Sequence, residues 1–393
     1  MKAIAIAGAG FAGAVMAREL AESGKYRVTV FDERDHVAGN CHTVRDVATG
    51  VMLHQYGPHI FHTSREDVWQ YVNRFARFGP YTNRVKAVTR RGVFSLPLNL
   101  LTLNQFFGKQ MNPTEAQEFV SRLGDPSIRE PRNFEEQALK MMGRELYATF
   151  FYGYTKKQWG VEPTELPASI LQRLPMRFNY DDNYYNSKYQ GIPVDGYTAL
   201  VERILDHRNI RVRLNERFAP ELKREFVHVF FSGPMDSFFE YRLGRLQYRT
   251  LVFERFEDKG DYQGNSVINY CDEDVPFTRI SEHKHFAPWE QHEGTVCFRE
   301  YSKPMAPGDL PYYPVRLAED KALLKQYVAL ARDAKRVSFI GRLGTYRYLD
   351  MHVVIGETLD LARECLPRDP LRQGWPAFSA DPSPVATPAR SAA

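Results

Sequence analysis

The chain has 393 residues, too many for one ordinary core, so two or three domains are expected. Its formal charge of +4 is small for this size and no lysine–arginine block stands out, which argues against a nucleic-acid partner and suits a small anionic ligand. No apolar run approaches the roughly 20 residues of a membrane span. "MKAIAIAGAGFAG" enters a strand and glycine turn with no secretory leader, so the expected location is the cytoplasm. Cys41, Cys271, Cys297 and Cys365 lack metal-ligand or redox spacing, and reduced structural thiols without a metal site are expected.

In chain order, "KAIAIAGAGFAGAVMARELAESG" reads as strand, glycine turn and helix, and "YRVTVFDERD" as a second strand. Together they form a βαβ unit that opens a doubly wound domain. From about Leu98 to Leu171 strand signals fade, and stretches such as "PTEAQEFVSRLG" and "FEEQALKMMGRELYATFFYGY" predict a mostly helical insertion. Arg173 to Pro193, "RLPMRFNYDDNYYNSKYQGIP", follows neither a strand nor a helix period, yet it is crowded with rings and cationic forks. Between about Tyr241 and Tyr301, "RTLVFERFED", "GNSVINYCD", "TRISEHKHF" and "GTVCFREYS" predict an antiparallel sheet. "RVSFIGRLGTYRYLDMHVVIGETLDLAREC" again reads strand, loop, helix and rejoins the first domain. From Leu366 the chain is rich in Pro, Ala and Ser, which predicts a disordered tail.

Gly8, Gly10 and Gly13 form G-x-G-x-x-G directly between the first strand and helix, with Phe11 and Ala12 inside the motif. Such a turn lets backbone approach a pyrophosphate that sits on the helix N-terminus. Asp32, followed by Glu33, ends the second strand at the distance expected of a ribose-binding carboxylate. Arg34 and the turn at Gly39–Asn40 resemble the extended fingerprint of FAD-binding flavoproteins with two dinucleotide-type domains. A helix starting near Asp350 would aim its positive end at the flavin pyrimidine and favour the anionic reduced form. No second glycine fingerprint for a nicotinamide cofactor is present. The fold class is therefore α/β: a discontinuous Rossmann-like FAD-binding domain with a helical lid domain and an antiparallel β-sheet domain. The boundaries place the FAD domain at 1–80, 190–240 and 311–365, the helical domain at 98–172, the sheet domain at 81–97 and 241–310, and the tail at 366–393.

With these pieces in place, the sequence strongly resembles UDP-galactopyranose mutase of the bacterial type, from Met1 to about Cys365. The matching blocks include "QYGPHIFHT", "FSLPLNLLTLNQFFGK", "YGYTKKQWG", "RFNYDDNYYNSKYQGIPVDGYTAL", "FTRISEHKHF", "PYYPV" and "GRLGTYRYLDM". Ala38 departs from the pattern, standing where the family often has a glycine. The resemblance implies an isomerase that interconverts UDP-galactopyranose and UDP-galactofuranose. It implies FAD that must be reduced, a covalent flavin N5–galactose iminium adduct, and a supply of galactofuranose for cell-surface glycans. It further implies an external reductant such as NAD(P)H or a flavodoxin, and a homodimer.

The same resemblance assigns residues. Arg173 and Arg279 match the two arginines that clamp the diphosphate, where guanidinium forks stabilise the charge of departing UDP. Phe150 and Tyr154 match the rings that sandwich uracil, Thr155 adjoins them, and Trp159 matches the lid tryptophan. Tyr184, Tyr313 and Tyr348 match tyrosines whose hydroxyls reach the diphosphate, and Asn83 and Asn269 match polar contacts to sugar and nucleotide. His62, in "HIFHT", is expected to present its backbone carbonyl to flavin N5, with His59 nearby. Arg342, Leu349, Asp350 and Met351 match residues beside the isoalloxazine and ribityl chain. The pair Asp181–Asp182 is read as turn or capping carboxylates. The rival readings are a true FAD-dependent oxidoreductase of the same fold, amine oxidase-like, and a non-catalytic nucleotide-sugar or flavin-binding protein.

Overall fold

The computed structural model describes residues 1–173, 176–315 and 318–382, with the side chains of residues 172, 173, 318 and 319 outside that description. Its first strand, Lys2–Ala7, alternates Ala and Ile and is buried from Ile4 onward. It lies in the middle of a five-stranded sheet ordered Ile210–Arg213, Tyr26–Phe31, Lys2–Ala7, His228–Phe231, Val337–Phe339, with every pairing parallel. A parallel sheet needs cover on both faces, and the alternation supplies it. Ile4 and Ile6 face the helix Phe11–Glu22, while Ala5 and Ala7 join a second cluster with Leu324, Tyr327 and Val328. Met351–Cys365 packs against Phe11–Glu22 in turn. Gly13 sets how closely helix and strand approach, because a Cβ there would overlap the carbonyl oxygen of Gly8.

The second sheet has seven strands in the order Tyr313–Pro314, Tyr248–Lys259, Gly294–Pro304, Arg279–Glu282, Val267–Tyr270, Val85–Thr89, Gly92–Leu96. It is antiparallel except where Val267–Tyr270 meets Val85–Thr89, a hairpin from a distant part of the chain. Asn269 and Arg279 face each other across adjacent strands of this sheet.

The helical part contains Leu100–Phe107, Pro113–Leu123 and Phe134–Tyr147. Asn99, Asn112 and Asn133 cap their N-termini, each side chain accepting a backbone N–H three residues on. The third helix kinks at Gly143 (φ 76°), where a Cβ would overlap the carbonyl of Leu123. One wide π turn, Ala148–Tyr152, then leads into the helix Gly153–Trp159. Such turns re-aim side chains and recur at functional sites.

Residues 366–382 depart from the disordered tail expected of their composition. Trp375 is 9 % exposed and packs against Tyr26, His228 and Phe230, with ring centroids 5.5, 4.8 and 5.5 Å away. Phe339 N donates to Ala377 O (2.7 Å) and Ser379 N donates to Phe339 O (3.1 Å), so this stretch lengthens the parallel sheet at its edge. One large ring and two backbone bonds outweigh the Pro- and Ser-rich average. Residues 383–393 lie outside the described residues.

Candidate active site

A cavity of about 880 Å³ opens at the carboxyl ends of three parallel strands, where Ala7, Phe31 and Phe231 reach its wall. Gly8, Gly10, Phe11, Ala12, Asp32, Glu33, Gly39, Asn40, His59, Arg342, Leu349 and Met351 all line it. Gly13 lies behind the wall, in the helix–strand contact. Gly8 holds φ +105°, and a Cβ there would overlap Ser232 Oγ. Gly10 is open: the nearest atom to an added Cβ is Gly39 Cα at 4.0 Å, so the floor between these glycines is bare backbone. The helix starting at Phe11 has no side-chain cap, which leaves its first-turn N–H groups for an anionic ligand. Asp32 fixes the turn, accepting from Ala9 N (2.7 Å) and Arg34 N (3.0 Å). Ala38 is buried with φ 73°, a conformation costing a non-glycine residue about 1 kcal/mol. Its N–H is retained by Ala9 O at 2.9 Å. Volume, bare glycine floor and free helix N-terminus together fit a dinucleotide.

At the far end, Arg342 Nε and Nη2 donate to Leu349 O (3.0 and 2.6 Å) and its guanidinium stands over the rings of Tyr313 and Tyr348, 5.7 and 5.1 Å from their centroids. It stands between the cavity wall and a tyrosine-rich cluster. Asp350 precedes the 15-residue helix Met351–Cys365 without capping it through its side chain. Its carboxylate is instead half-exposed, 4.0 Å from His62 Nε2. His62 stacks on Tyr185 (centroids 3.7 Å, 11° between planes) and its Nδ1 meets Ser187 Oγ at 2.8 Å. Burial and neighbouring His352 push His62 down to about 4 against the pull of Asp350, so the imidazole is neutral near pH 7. Burial holds His59 at about 4 as well, and its Nδ1 meets Gly57 O at 2.8 Å.

In this cluster, Arg279 donates from Nε and Nη2 to one carboxylate oxygen of Glu300, both at 2.7 Å. Burial opposes the charge of Arg279, but Glu300 and the surrounding dipoles offset it, holding the guanidinium above its ordinary range. Tyr154, Tyr184 and Tyr313 all lie within the field of Arg279. Burial raises all three phenols, Tyr184 to about 12, so they remain hydrogen-bond donors. Tyr348 packs on Tyr313 at 5.3 Å and Trp159 lies 6.5 Å from Tyr313. Asn83 is 3 % exposed, and its side-chain oxygen has no partner among the described residues. Asn269 and Thr155 are buried at the same walls.

One expectation changes. Phe150, expected to stack on a base, is 3 % exposed and packs against Phe94 and Phe106, both at 5.3 Å. The π turn directs that ring into the helical core. Tyr154 and Phe151, three positions apart in the chain, are only partly buried. The Arg173 side chain lies outside the described residues. The carboxylate pair serves structure: Asp181 binds Arg177 (2.8 Å) and Asp182 binds Arg84 (3.0 Å).

Four residues escaped the sequence reading. Glu300 braces Arg279. Arg249, 4 % exposed, donates through Nε to Gln158 O (3.2 Å) and Ser302 Oγ (3.1 Å) with no carboxylate partner among the described residues. Lys157 sends its ammonium into four backbone carbonyls, those of Tyr270, Asp272, Val275 and Phe277, at 2.7 to 3.0 Å. Arg177 anchors the loop that carries Tyr184. Each depends on partners far away in sequence or within an aperiodic loop, where no local pattern announces them.

This fold and site define an enzyme of the Rossmann-like, dinucleotide-binding class with a cluster of guanidinium and phenol groups beside its cavity. The family model described as UDP-galactopyranose mutase matches residues 149–348, and one described as an NAD(P)-binding Rossmann-like domain matches residues 6–75. The chain belongs to the UDP-galactopyranose mutase family, being 57 % identical over 378 residues to a probable UDP-galactopyranose mutase of Klebsiella pneumoniae, covering 96 % of this chain and 98 % of that one. It is also 50 % identical over 370 residues to dTDP-fucopyranose mutase of Escherichia coli, covering 92 % and 98 %. A solved structure of a reduced UDP-galactopyranose mutase shares the fold, with TM-score 0.71 at 14 % identity over 93 % of this chain and 96 % of that one. Family and Rossmann-like domain together imply a flavin.

Proposed function

We propose that the enzyme interconverts UDP-galactopyranose and UDP-galactofuranose with reduced FAD, in the cytoplasm, for galactofuranose-containing glycans. The reading is carried by Arg279, held by Glu300 among neutral tyrosine hydroxyls, in a cluster with Arg342 between it and the cofactor cavity. The residues fit FAD: bare backbone at Gly10 and Gly39 would hold the pyrophosphate, Asp32 and Glu33 the ribose, and the N-terminus of the helix after Asp350 would favour negative charge on the flavin. Reduced flavin, when bound, would supply a nucleophile for the anomeric carbon.

The protein's own groups handle the nucleotide and the sugar. Tyr154 anchors the base by stacking, worth about 1–3 kcal/mol. Arg279, with Arg173 from the segment before the loop, stabilises the charge that grows on the diphosphate as the anomeric C–O bond breaks. Protonated Tyr184 and Tyr313 donate to the same oxygens, with Tyr348 packed on Tyr313, so UDP stays within reach for the return step. The unpartnered Asn83 oxygen accepts a sugar hydroxyl. Neutral His62 places no positive charge beside the reacting carbon, and Arg342 closes the wall between sugar and cofactor.

A second reading keeps the rearrangement but changes the substrate to dTDP-fucopyranose, favoured by the 50 % identical relative that bears that name. Reduced holoenzyme is incubated separately with UDP-galactofuranose and dTDP-fucofuranose and the products are separated by chromatography. Conversion of the uridine sugar at the higher kcat/KM supports the first reading; preference for the thymidine sugar replaces it. Conversion of neither, with FAD bound, removes both. The external reductant and a homodimer complete the proposal, the former because no second nucleotide fingerprint is present in the chain.

A further inference from the structure

Residues 176–188, which lead into the strand Tyr189–Pro193, have no regular secondary structure, yet they are closely tied. Three Asx turns follow one another at a spacing of two. Asp181 N donates to Asn179 Oδ1 (3.0 Å), Asn183 N to Asp181 Oδ1 (3.0 Å) and Tyr185 N to Asn183 Oδ1 (3.1 Å). Each turn is weak alone. All of them wind around one guanidinium, that of Arg177, which is 8 % exposed. Its Nη1 binds the Asp181 carboxylate (2.8 Å) and the Asn183 carbonyl, and its Nη2 binds the Asn186 side-chain oxygen and, at 3.4 Å, the Tyr185 carbonyl. Arg177 N donates to Leu98 O (2.8 Å), which fixes the loop to the helical part.

The loop ends touch both halves of the site. Tyr184 N donates to the carbonyl of Asn83 (2.8 Å), the residue whose side-chain oxygen waits unpartnered. Tyr185 stacks on His62 and Ser187 Oγ holds its Nδ1. We propose that Arg177 is a positioning residue: it is the post around which residues 179–186 wind, and it keeps Tyr184 on the substrate side and the Tyr185–His62 stack on the cofactor side in one register. A planar fork with five donors can serve acceptors in several directions at once; a lysine ammonium offers three donors from one point and cannot reach them all. The proposal deepens the functional reading given above and rests on its assignment of Tyr184 and His62.

The test is Arg177→Lys in FAD-loaded protein labelled with ¹³C-histidine, with the His62 signal assigned by its loss in His62→Asn. Tyr185 and Ser187 face His62 from the loop, and His352 and Asp350 from the helix end. The parent His62 stays neutral down to pH 5, because it is held at about 4. In R177K the stack loosens, water enters, and His62 titrates near the ordinary value of about 6.5. With FAD content unchanged, kcat/KM for UDP-galactofuranose falls about tenfold, a loss expected of a displaced substrate donor. Asp181→Ala, which removes a single arm, shifts the titration part of the way and carries the test if R177K does not fold. A folded R177K or D181A that is less heat-stable, but has His62 still neutral at pH 5 and parental kcat and KM, overturns the proposal and leaves Arg177 a structural brace. A shifted His62 in variants of a parent that turns over no nucleotide sugar supports the positioning role while the substrate reading falls.

Discussion

Arg279 shows how one side chain is prepared for a charge that appears only during turnover. Glu300 takes Nε and Nη2, and no described residue partners Nη1, so the fork is fixed in place with capacity left for a diphosphate oxygen. If that capacity is used mainly as UDP departs, losing it hurts the transition state more than the ground state. Arg279→Ala should lower turnover about 100-fold or more, the scale of one lost oxyanion donor. The affinity for UDP should fall less, since Tyr154 still stacks. Arg279→Lys should recover part of the rate but not the fork geometry. Steady-state kinetics and UDP calorimetry check both; a variant that loses affinity alone makes Arg279 a ground-state anchor. The glycines, Asp32 and the turn at Gly39 were legible because their chemistry is local and the motif is contiguous. Glu300 was not, because nothing in a strand residue 21 positions from Arg279 announces its partner. Phe150 misled for the opposite reason: its neighbourhood matched a binding motif, but a π turn decided which way the ring faces.

At the scale of elements, Lys157 joins the helix Gly153–Trp159 to the turn between the strands that carry Asn269 and Arg279. Gly153 tightens the same contact, since a Cβ there would overlap the carbonyl of Cys271. Tyr154, Thr155 and Trp159 on one wall and Arg279 on the other are thus parts of one body, and Ser302 Oγ adds a bond to Gln158 O at 2.7 Å. Lys157→Met fills the space but strands four carbonyls, and should cost about 3 kcal/mol or more of stability. Hydrogen exchange should then rise selectively in residues 271–278; uniform exchange would contradict the coupling. Trp375 makes the corresponding case at the other end of the chain. Trp375→Ala should cost about 3–5 kcal/mol in denaturant unfolding of the FAD-loaded protein, the range for a large buried ring. A loss below 1 kcal/mol would return residues 366–382 to the status their composition suggested. Composition describes an average, and neither a single ring nor four aimed carbonyls can be seen in it.

Across the whole molecule, the doubly wound opening, the helical insertion, the antiparallel region and the late return to the first sheet were all legible, because apolar periodicity and glycine punctuation mark element type. The parallel pairing of Val267–Tyr270 with Val85–Thr89 was not, since pairing between distant strands leaves no local trace. The architecture sets a dinucleotide-type cavity beside a cluster of guanidinium and phenol groups, with Arg342 between them, and on that arrangement rests the proposal that a reduced cofactor is used without net oxidation. The most direct measurement follows UDP-galactofuranose in matched air-oxidised and dithionite-reduced samples of the FAD-loaded enzyme, counting product by chromatography and reductant consumed by absorbance. The account predicts UDP-galactopyranose in the reduced sample alone, over many turnovers, with no reductant consumed per sugar converted. Equal conversion by the oxidised sample, or one reductant lost for each product formed, would contradict it.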